Sequence, residues 1–224
     1  MKDLVQHGMA FPAKYLDAEF NALLGVTRLL ESGRWKTAKV QPYPTSETLL
    51  QKEIEDLLEK QHSTERMDIR QPEILEEADK PSPKFGRVML FDEVSHPMTA
   101  RLITDMVIGG RPVIIHFKTK FARPRPSQIC PEIEPLIDVP GHPAYPSGHS
   151  FQTHLIAMAL SELLPHLSDR FTAIAERVAE NREWAGVHYS SDSMAGKALA
   201  RDLFPEFRAA FAEDFEAATQ EWAG

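Results

Sequence analysis

Pro146-Ser147-Gly148-His149 is the stretch around which this chain is read. Proline fixes the approach of the backbone, glycine admits angles that other residues avoid, and serine is a good helix N-cap. Beyond it, Phe151, Leu155, Ile156, Ala159, Leu160 and Leu163 recur at helical spacing, which predicts a helix from about Ser150 to Leu164. A glycine turn at a helix N-terminus aims backbone N–H groups at one spot and so favours an anion there. A histidine in that turn can trade protons with whatever binds.

Two charged clusters flank the turn. Upstream, Lys118-Thr119-Lys120-Phe121-Ala122-Arg123-Pro124-Arg125-Pro126 holds four cations in eight residues. Alone it reads as a solvated basic face. Facing an anion it reads as a clamp, because arginine offers planar bidentate donors and lysine a mobile point charge. Downstream, Asn181 to Asp192 contains Arg182, His188 and Asp192. If the chain is helical from His188, Asp192 lies one turn along on the same face. A carboxylate on one imidazole nitrogen fixes the tautomer and makes the other nitrogen more basic, which prepares a nucleophile or base. By itself such a pair is usually a structural hydrogen bond.

The rest of the chain predicts helices and turns. Residues 13–32 form an expected helix between Pro12 and Gly33, with Leu16, Phe20, Leu23, Leu24 and Leu30 on one side. Thr45-Ser46-Glu47 opens a second, carrying Leu50, Ile54, Leu57 and Leu58. Residues 62–84 are charged, with three prolines, and read as a loop or short helices on the surface. A helix is expected over 86–97, ending at Pro97, then a long one over 98–121, kinked or broken at Gly109, Gly110 and Pro112. Six prolines between Arg123 and Pro143 exclude regular helix and predict an ordered loop or linker. Helices follow at Asp169–Trp184, near Ser190–Leu203, and at Pro205–Trp222. Phe204, Phe207, Phe211 and Phe215 form a stripe that faces the core. No period-two strand appears, so the class is all-α.

With 224 residues, 42% hydrophobic and 26% charged, the chain has the composition of a globular protein and the length of one large domain. A net charge of −8 argues against a general nucleic-acid or anionic-membrane partner, while leaving room for a local basic pocket. No stretch approaches the ~18 apolar residues of a membrane span. No secretory signal is visible at the N-terminus, so the expected compartment is the cytoplasm, or the periplasm if a signal peptide has been removed. Cys130 stands alone and reads as a bystander thiol.

The three clusters together form a more specific pattern: Lys118, six residues, Arg125-Pro126; then Pro146-Ser147-Gly148-His149; then Arg182, five residues, His188, three residues, Asp192. This resembles the three-part signature of the type 2 phosphatidic-acid phosphatase superfamily. That group includes bacterial acid phosphatases, membrane lipid phosphatases and vanadium-dependent haloperoxidases. The resemblance covers residues 118–192. Arg123-Pro124 is a second Arg-Pro pair, but in that register His116 would take the lysine position, so Lys118 with Arg125 is preferred. Arg123 is then either a secondary contact or a surface charge. The third motif, usually opened by Ser-Arg, here has Asn181-Arg182.

The resemblance implies an all-helical bundle. A single domain over residues 1–224 is expected, with helices to about residue 85 packed on a catalytic core over 86–224, in the same chain or in a second copy. It implies that Lys118, Arg125 and Arg182 bind phosphoryl oxygens, with hydrogen bonds from Ser147 and the Gly148 amide. His188 becomes the nucleophile, Asp192 its orienting partner, and His149 the acid and then the base. The substrate is expected to be a soluble, small-molecule phosphate monoester. No metal or other cofactor is expected; vanadate enters as an inhibitor. In the alternative reading, a haloperoxidase, the same pocket holds vanadate as cofactor. A third reading is an inactive protein that keeps an anion pocket. Of the other histidines, His142 is expected at the pocket mouth and His154 in a structural role.

Overall fold

The computed structural model describes residues 18–78, 82–89, 91 and 93–223. The expected first helix from residue 13, with Pro12 and Leu16, begins outside these, as does the side chain of Phe20. Helix α1 spans Ala18–Ser32, α2 Glu47–His62, α3 Gln71–Glu77, α4 Pro83–Met89 and α5 Pro97–Phe121. Then come α6 Pro126–Ile129, α7 Gly148–Leu163, α8 Ser168–Trp184, α9 Ser190–Ala210 and α10 Ala212–Trp222. Among the described residues every regular element is helical, as the sequence predicts.

Helix α7 is the centre. From Ser150 to Leu160 nearly every residue is buried, including Phe151, Leu155, Ile156 and Leu160 at 0% exposure. A helix apolar on all sides needs neighbours on all sides, and α5, α8 and α9 supply them. The α9 crossing is close because of Gly196. A Cβ there would stand 2.6 Å from the Ser147 carbonyl oxygen and 2.9 Å from Ser150 Cβ. That contact sets α9, with Asp192 in its first turn, directly against the N-terminus of α7.

Several sequence expectations are corrected. Among the described side chains of α1, Gly25, Val26 and Leu29 are buried, whereas Leu23, Leu24 and Leu30 are exposed. The face is chosen by Gly25 lying against Phe211, where a Cβ would fall 1.9 Å from the ring. Pro97 does not end a helix but sits at the start of α5, a position where proline's missing N–H costs nothing. The preceding helix is α4, ending at Met89. α5 runs unbroken through Gly109, Gly110 and Pro112, and its two glycines admit Phe207 and Phe211 on one side and Phe151 on the other. α9 likewise continues through Pro205 to Ala210, with Leu203 and Phe207 buried on either side of it. The aromatic stripe does face the core: Phe207, Phe211 and Phe215 are at most 1% exposed. His96 stacks on Trp222 at 4.1 Å, and His116 meets Trp35 edge-on.

Residues 62–84 are not merely a surface stretch. Arg66, Arg70, Ile74 and Glu77 are buried. Arg70 donates to Glu65, Glu180 and Asn181, and its guanidinium lies 4.7 Å from the Trp184 ring centroid. This segment packs on α8 and reaches the candidate site.

Candidate active site

The basic segment is delivered by the end of α5. Lys118 lies in the last turn, and Ala122 closes the helix in the left-handed region at φ 49°. The chain then turns so that Arg123 and Arg125 both point inward, at 2% and 1% exposure. Arg125 caps α6, its amide donating to Gln128 Oε1 at 2.7 Å. The Pro-Ser-Gly-His turn, entered through a cis Tyr145–Pro146 bond, starts α7. Ser147 Oγ accepts from the Ser150 amide at 3.4 Å, as its N-cap role requires. Arg182 comes from the last turn of α8, and His188 from the connection that follows Gly186 (φ 74°).

These parts converge. Lys118, Arg125, Gly148, His149, Arg182 and His188 line one cavity of about 450 Å³. Ile114, Ile115, Pro140 and Pro143 give it an apolar wall, with Arg111 at one side and His142, as expected, among its lining residues. Ser147 is fully buried and does not line the cavity. Capping uses an oxygen lone pair and leaves its hydroxyl hydrogen to donate. The N-terminus of α7 opens into the cavity through Gly148 and His149, which adds the positive end of a helix to three cationic side chains.

His188 precedes α9 instead of lying on it, because the helix begins at Ser190. The expected contact forms all the same: His188 Nδ1 lies 2.9 Å from Asp192 Oδ2. The same oxygen accepts the Tyr189 amide at 3.1 Å, while Oδ1 accepts from Arg123 at 2.7 Å. On the other side of the imidazole, Arg125 Nη1 is 3.0 Å from Nε2. A guanidinium only donates, so Nε2 carries the lone pair and Nδ1 the proton. Burial first, then the charges of Arg125, Lys118 and Arg182, hold His188 well below the ordinary histidine value. It is therefore neutral, with its lone pair toward the cavity.

Arg125 also donates from Nε to the His142 carbonyl at 3.0 Å and from Nη1 to the Val187 carbonyl at 2.6 Å. Burial brings its pKa down to about 10, so it stays charged near neutral pH. Lys118 Nζ donates to the carbonyls of Pro143 and Ala144, both at 2.7 Å. An ammonium has three donors, so one remains for an anion. Burial, then the nearby Arg125 charge, lower Lys118 to about 7 against the pull of Asp192. Asp192 is pushed up by burial and held back chiefly by Arg123. His149 Nε2 meets the Glu77 carbonyl at 3.1 Å. Burial and then Arg182 drop its pKa to about 3. It too is neutral when the cavity holds no anion.

Asn181, in place of the usual serine, is buried behind Arg182. It donates to Glu73 and Glu77 and accepts from Arg70 Nη1. His154 is structural, with Nδ1 2.7 Å from the Ser150 carbonyl. Arg123 is not a surface charge. Three residues escaped the sequence reading altogether: Glu53, which holds Arg123; Glu77, whose carbonyl meets His149; and Gly196. Glu53 and Glu77 sit among many other charged residues, and nothing local distinguishes them. Gly196 carries a signal, a lone glycine inside a helical pattern, which marks a close crossing. Among the described residues no group of three or more His, Cys, Asp or Glu side chains is placed to hold a metal ion.

Residues 100–203 match the family model described as PAP2 superfamily. Among solved structures, it is similar to a transmembrane PAP2-type phosphatidylglycerolphosphate phosphatase from Bacillus subtilis. The TM-score is 0.53 at 17% identity, over 88% of this chain and 97% of that one. A bacterial vanadium-dependent iodoperoxidase aligns with a TM-score of 0.46 and 16% identity, over 90% of this chain and 51% of that one. The first is a likeness of fold alone. No curated protein sequence matches this chain. None of the described helices is long and apolar enough to cross a membrane.

Proposed function

We propose that this chain hydrolyses phosphate monoesters through a phosphohistidine on His188. One observation carries the reading: a neutral imidazole, its Nδ1 proton held by Asp192, presents its Nε2 lone pair to a cavity that also receives Lys118, Arg125 and Arg182. Positive charge on the equatorial oxygens and a nucleophile in line are what phosphoryl transfer requires.

The sequence of events follows from the donors. A phosphoryl group entering the cavity draws Arg125 Nη1 from Nε2 to its own oxygen, which uncovers the nucleophile. Nε2 attacks phosphorus and the P–O ester bond breaks. His149 gives a proton to the departing alkoxide. A water that returns its proton to His149 then attacks phosphorus, the N–P bond breaks, and His188 is restored. Because burial and Arg182 keep His149 neutral, the substrate's negative charge must raise its pKa, offsetting Arg182, before it serves as acid. The apolar wall of Ile114, Ile115, Pro140 and Pro143 suits the organic part of the ester. The likeness to a lipid-phosphate phosphatase is compatible with such a leaving group. Since no described helix spans a bilayer, we favour esters that arrive from solution.

The test is rapid-quench labelling with an aryl phosphate carrying radioactive phosphorus. Wild-type protein should give an acid-labile, base-stable phosphoenzyme, and His188→Ala should lose both label and turnover. Label persisting on histidine in that variant refutes the assignment. Vanadate, which becomes five-coordinate at a nucleophile, should inhibit competitively and more tightly than phosphate. Negligible phosphatase activity, together with rapid bromide oxidation once vanadate and peroxide are added, would favour the haloperoxidase reading instead.

A further inference from the structure

We propose that Arg123 and Glu53 are positioning residues for the reaction, forming with Asp192 a buried chain that fixes the orientation and charge of His188. This rests on the reading of His188 as nucleophile. Glu53 lies on α2, far outside the matched region of residues 100–203, so the N-terminal part of the chain reaches into the catalytic machinery.

The chain is continuous and buried. Arg123 Nη1 donates to Asp192 Oδ1 at 2.7 Å and Nη2 to Glu53 Oε2 at 2.6 Å. Glu53 Oε1 accepts from the Ser191 amide at 2.9 Å and its hydroxyl at 2.6 Å. Asp192, Arg123 and Glu53 are 0%, 2% and 8% exposed. The guanidinium lies between two rings, 3.7 Å from the Tyr189 centroid and 4.9 Å from that of Tyr43. Arg123 does not line the cavity, so its direct contact is with Asp192 and not with the anion.

The two oxygens of Asp192 divide the work. Oδ2 accepts the hydrogen bond from His188 Nδ1–H, and Oδ1 is anchored by Arg123. With one oxygen anchored, the carboxylate cannot turn, and the direction of the His188 hydrogen bond is set. Burial pushes Asp192 toward protonation, and Arg123 is the first influence opposing it. A protonated Asp192 would no longer hold the Nδ1–H tautomer. Glu53 in turn keeps Arg123 in place. Burial raises its carboxyl, but the Ser191 hydroxyl and amide and Arg123 outweigh that and leave it below the ordinary value.

The experiment uses the full chain with Arg123→Gln, Arg123→Lys, Glu53→Gln and the double Glu53→Gln/Arg123→Gln. In Arg123→Gln, kcat for an aryl phosphate should fall about 10- to 100-fold, like the loss of an outer partner of a metal-bound histidine. KM should stay within about threefold, and the acid limb of kcat should move to higher pH as Asp192 protonates more readily. Arg123→Lys, which keeps charge but not the fork, should lie between. The double variant should regain thermal stability relative to Arg123→Gln, because no unpaired Glu53 charge stays buried, while kcat stays low. If kcat returns with stability, Arg123 is only structural and the proposal falls. A rise in KM at constant kcat overturns it too.

A second readout does not depend on catalysis. With ring-nitrogen labelling, the His188 Nδ1 proton should resonate far downfield in wild type and lose that shift in Arg123→Gln. An unchanged resonance refutes the proposal. Absence of phosphoenzyme in wild type would refute the nucleophile reading alone, leaving the resonance to decide whether Arg123 holds the Asp192–His188 bond.

Discussion

Replacing Lys118 by arginine separates charge from titration in the cation clamp. Lys118 is 3% exposed, and its ammonium sits beside Arg125. Burial and then Arg125 bring its pKa from 10.5 to about 7, which corresponds to about 5 kcal/mol in favour of the uncharged amine. At pH 6 most molecules carry the charged clamp; at pH 8 only about a tenth do. The profile of kcat/KM reports groups of the free enzyme. It should therefore fall about tenfold per pH unit above 7. Bound phosphate raises the Lys118 pKa, so kcat should stay level further into the alkaline range. A guanidinium keeps its charge well above the pH at which the Lys118 amine loses its own. The Lys118→Arg substitution would lower the overall rate, since the longer arginine side chain cannot reproduce both carbonyl contacts, but the alkaline limb should disappear up to about pH 9. The assay is steady-state hydrolysis of one aryl phosphate from pH 5 to 10 with both proteins. A substrate phosphate that itself ionises near pH 6 contributes equally to both and cancels in the comparison. An alkaline limb at the same pH in K118R would refute the assignment of that limb to Lys118.

Three other predictions follow from the same geometry. His149→Ala should cost about 10²–10⁴ in rate for alkyl esters, whose alkoxide needs a proton, and much less for a nitrophenyl ester; equal losses on both would remove His149 from the acid role. Gly196→Ala should lower stability by about 1–3 kcal/mol and reduce turnover, because the added Cβ meets Ser147 O at 2.6 Å; an unchanged unfolding temperature would show that α9 shifts freely. Asp105, fully buried with neither carboxyl oxygen hydrogen-bonded, has its pKa pushed up to about 8 by burial and then by Asp214. Its unfolded form ionises near 3.8, so stability is full below that value and is lost as pH rises toward 8, at about 1.4 kcal/mol per unit. Asp105→Asn should flatten that loss in urea unfolding at pH 5 and 8, and an unaltered pH dependence would mean the carboxyl is not neutral.

The site was legible because its parts are local in sequence. Lys118 and Arg125 are joined by one helix end, Ser147 to His149 by one turn, and Arg182, His188 and Asp192 by one short connection. Each segment brings its own geometry. The helices α5, α7 and α8 were legible for a related reason: their apolar spacing is long and regular. The proline-based boundaries were less so. Pro112 and Pro205 each remove one backbone donor, but packing on both sides keeps α5 and α9 continuous. A local penalty of about 3 kcal/mol is overridden by contacts that come from elsewhere in the chain.

What could not be read is what depends on a residue's partner across the fold. The stripe Leu23, Leu24, Leu30 satisfies helical periodicity, yet it faces outward. The inward face of α1 is centred on Gly25, which hydropathy ignores and which the Phe211 ring selects by needing space. Glu53 poses the same problem in polar form. On α2 it is one acid among several, and its role exists only because Arg123 is brought to it from 70 residues away. Arg123 was visible as a charge beside a prolyl turn, but whether it faced solvent or Asp192 turned on the φ of Ala122. That single left-handed residue ends α5 and sends the two arginines inward together, Arg125 to the cavity and Arg123 behind it. The division between a residue that meets the anion and one that holds the nucleophile's carboxylate is thus made by backbone direction, over a separation of two positions.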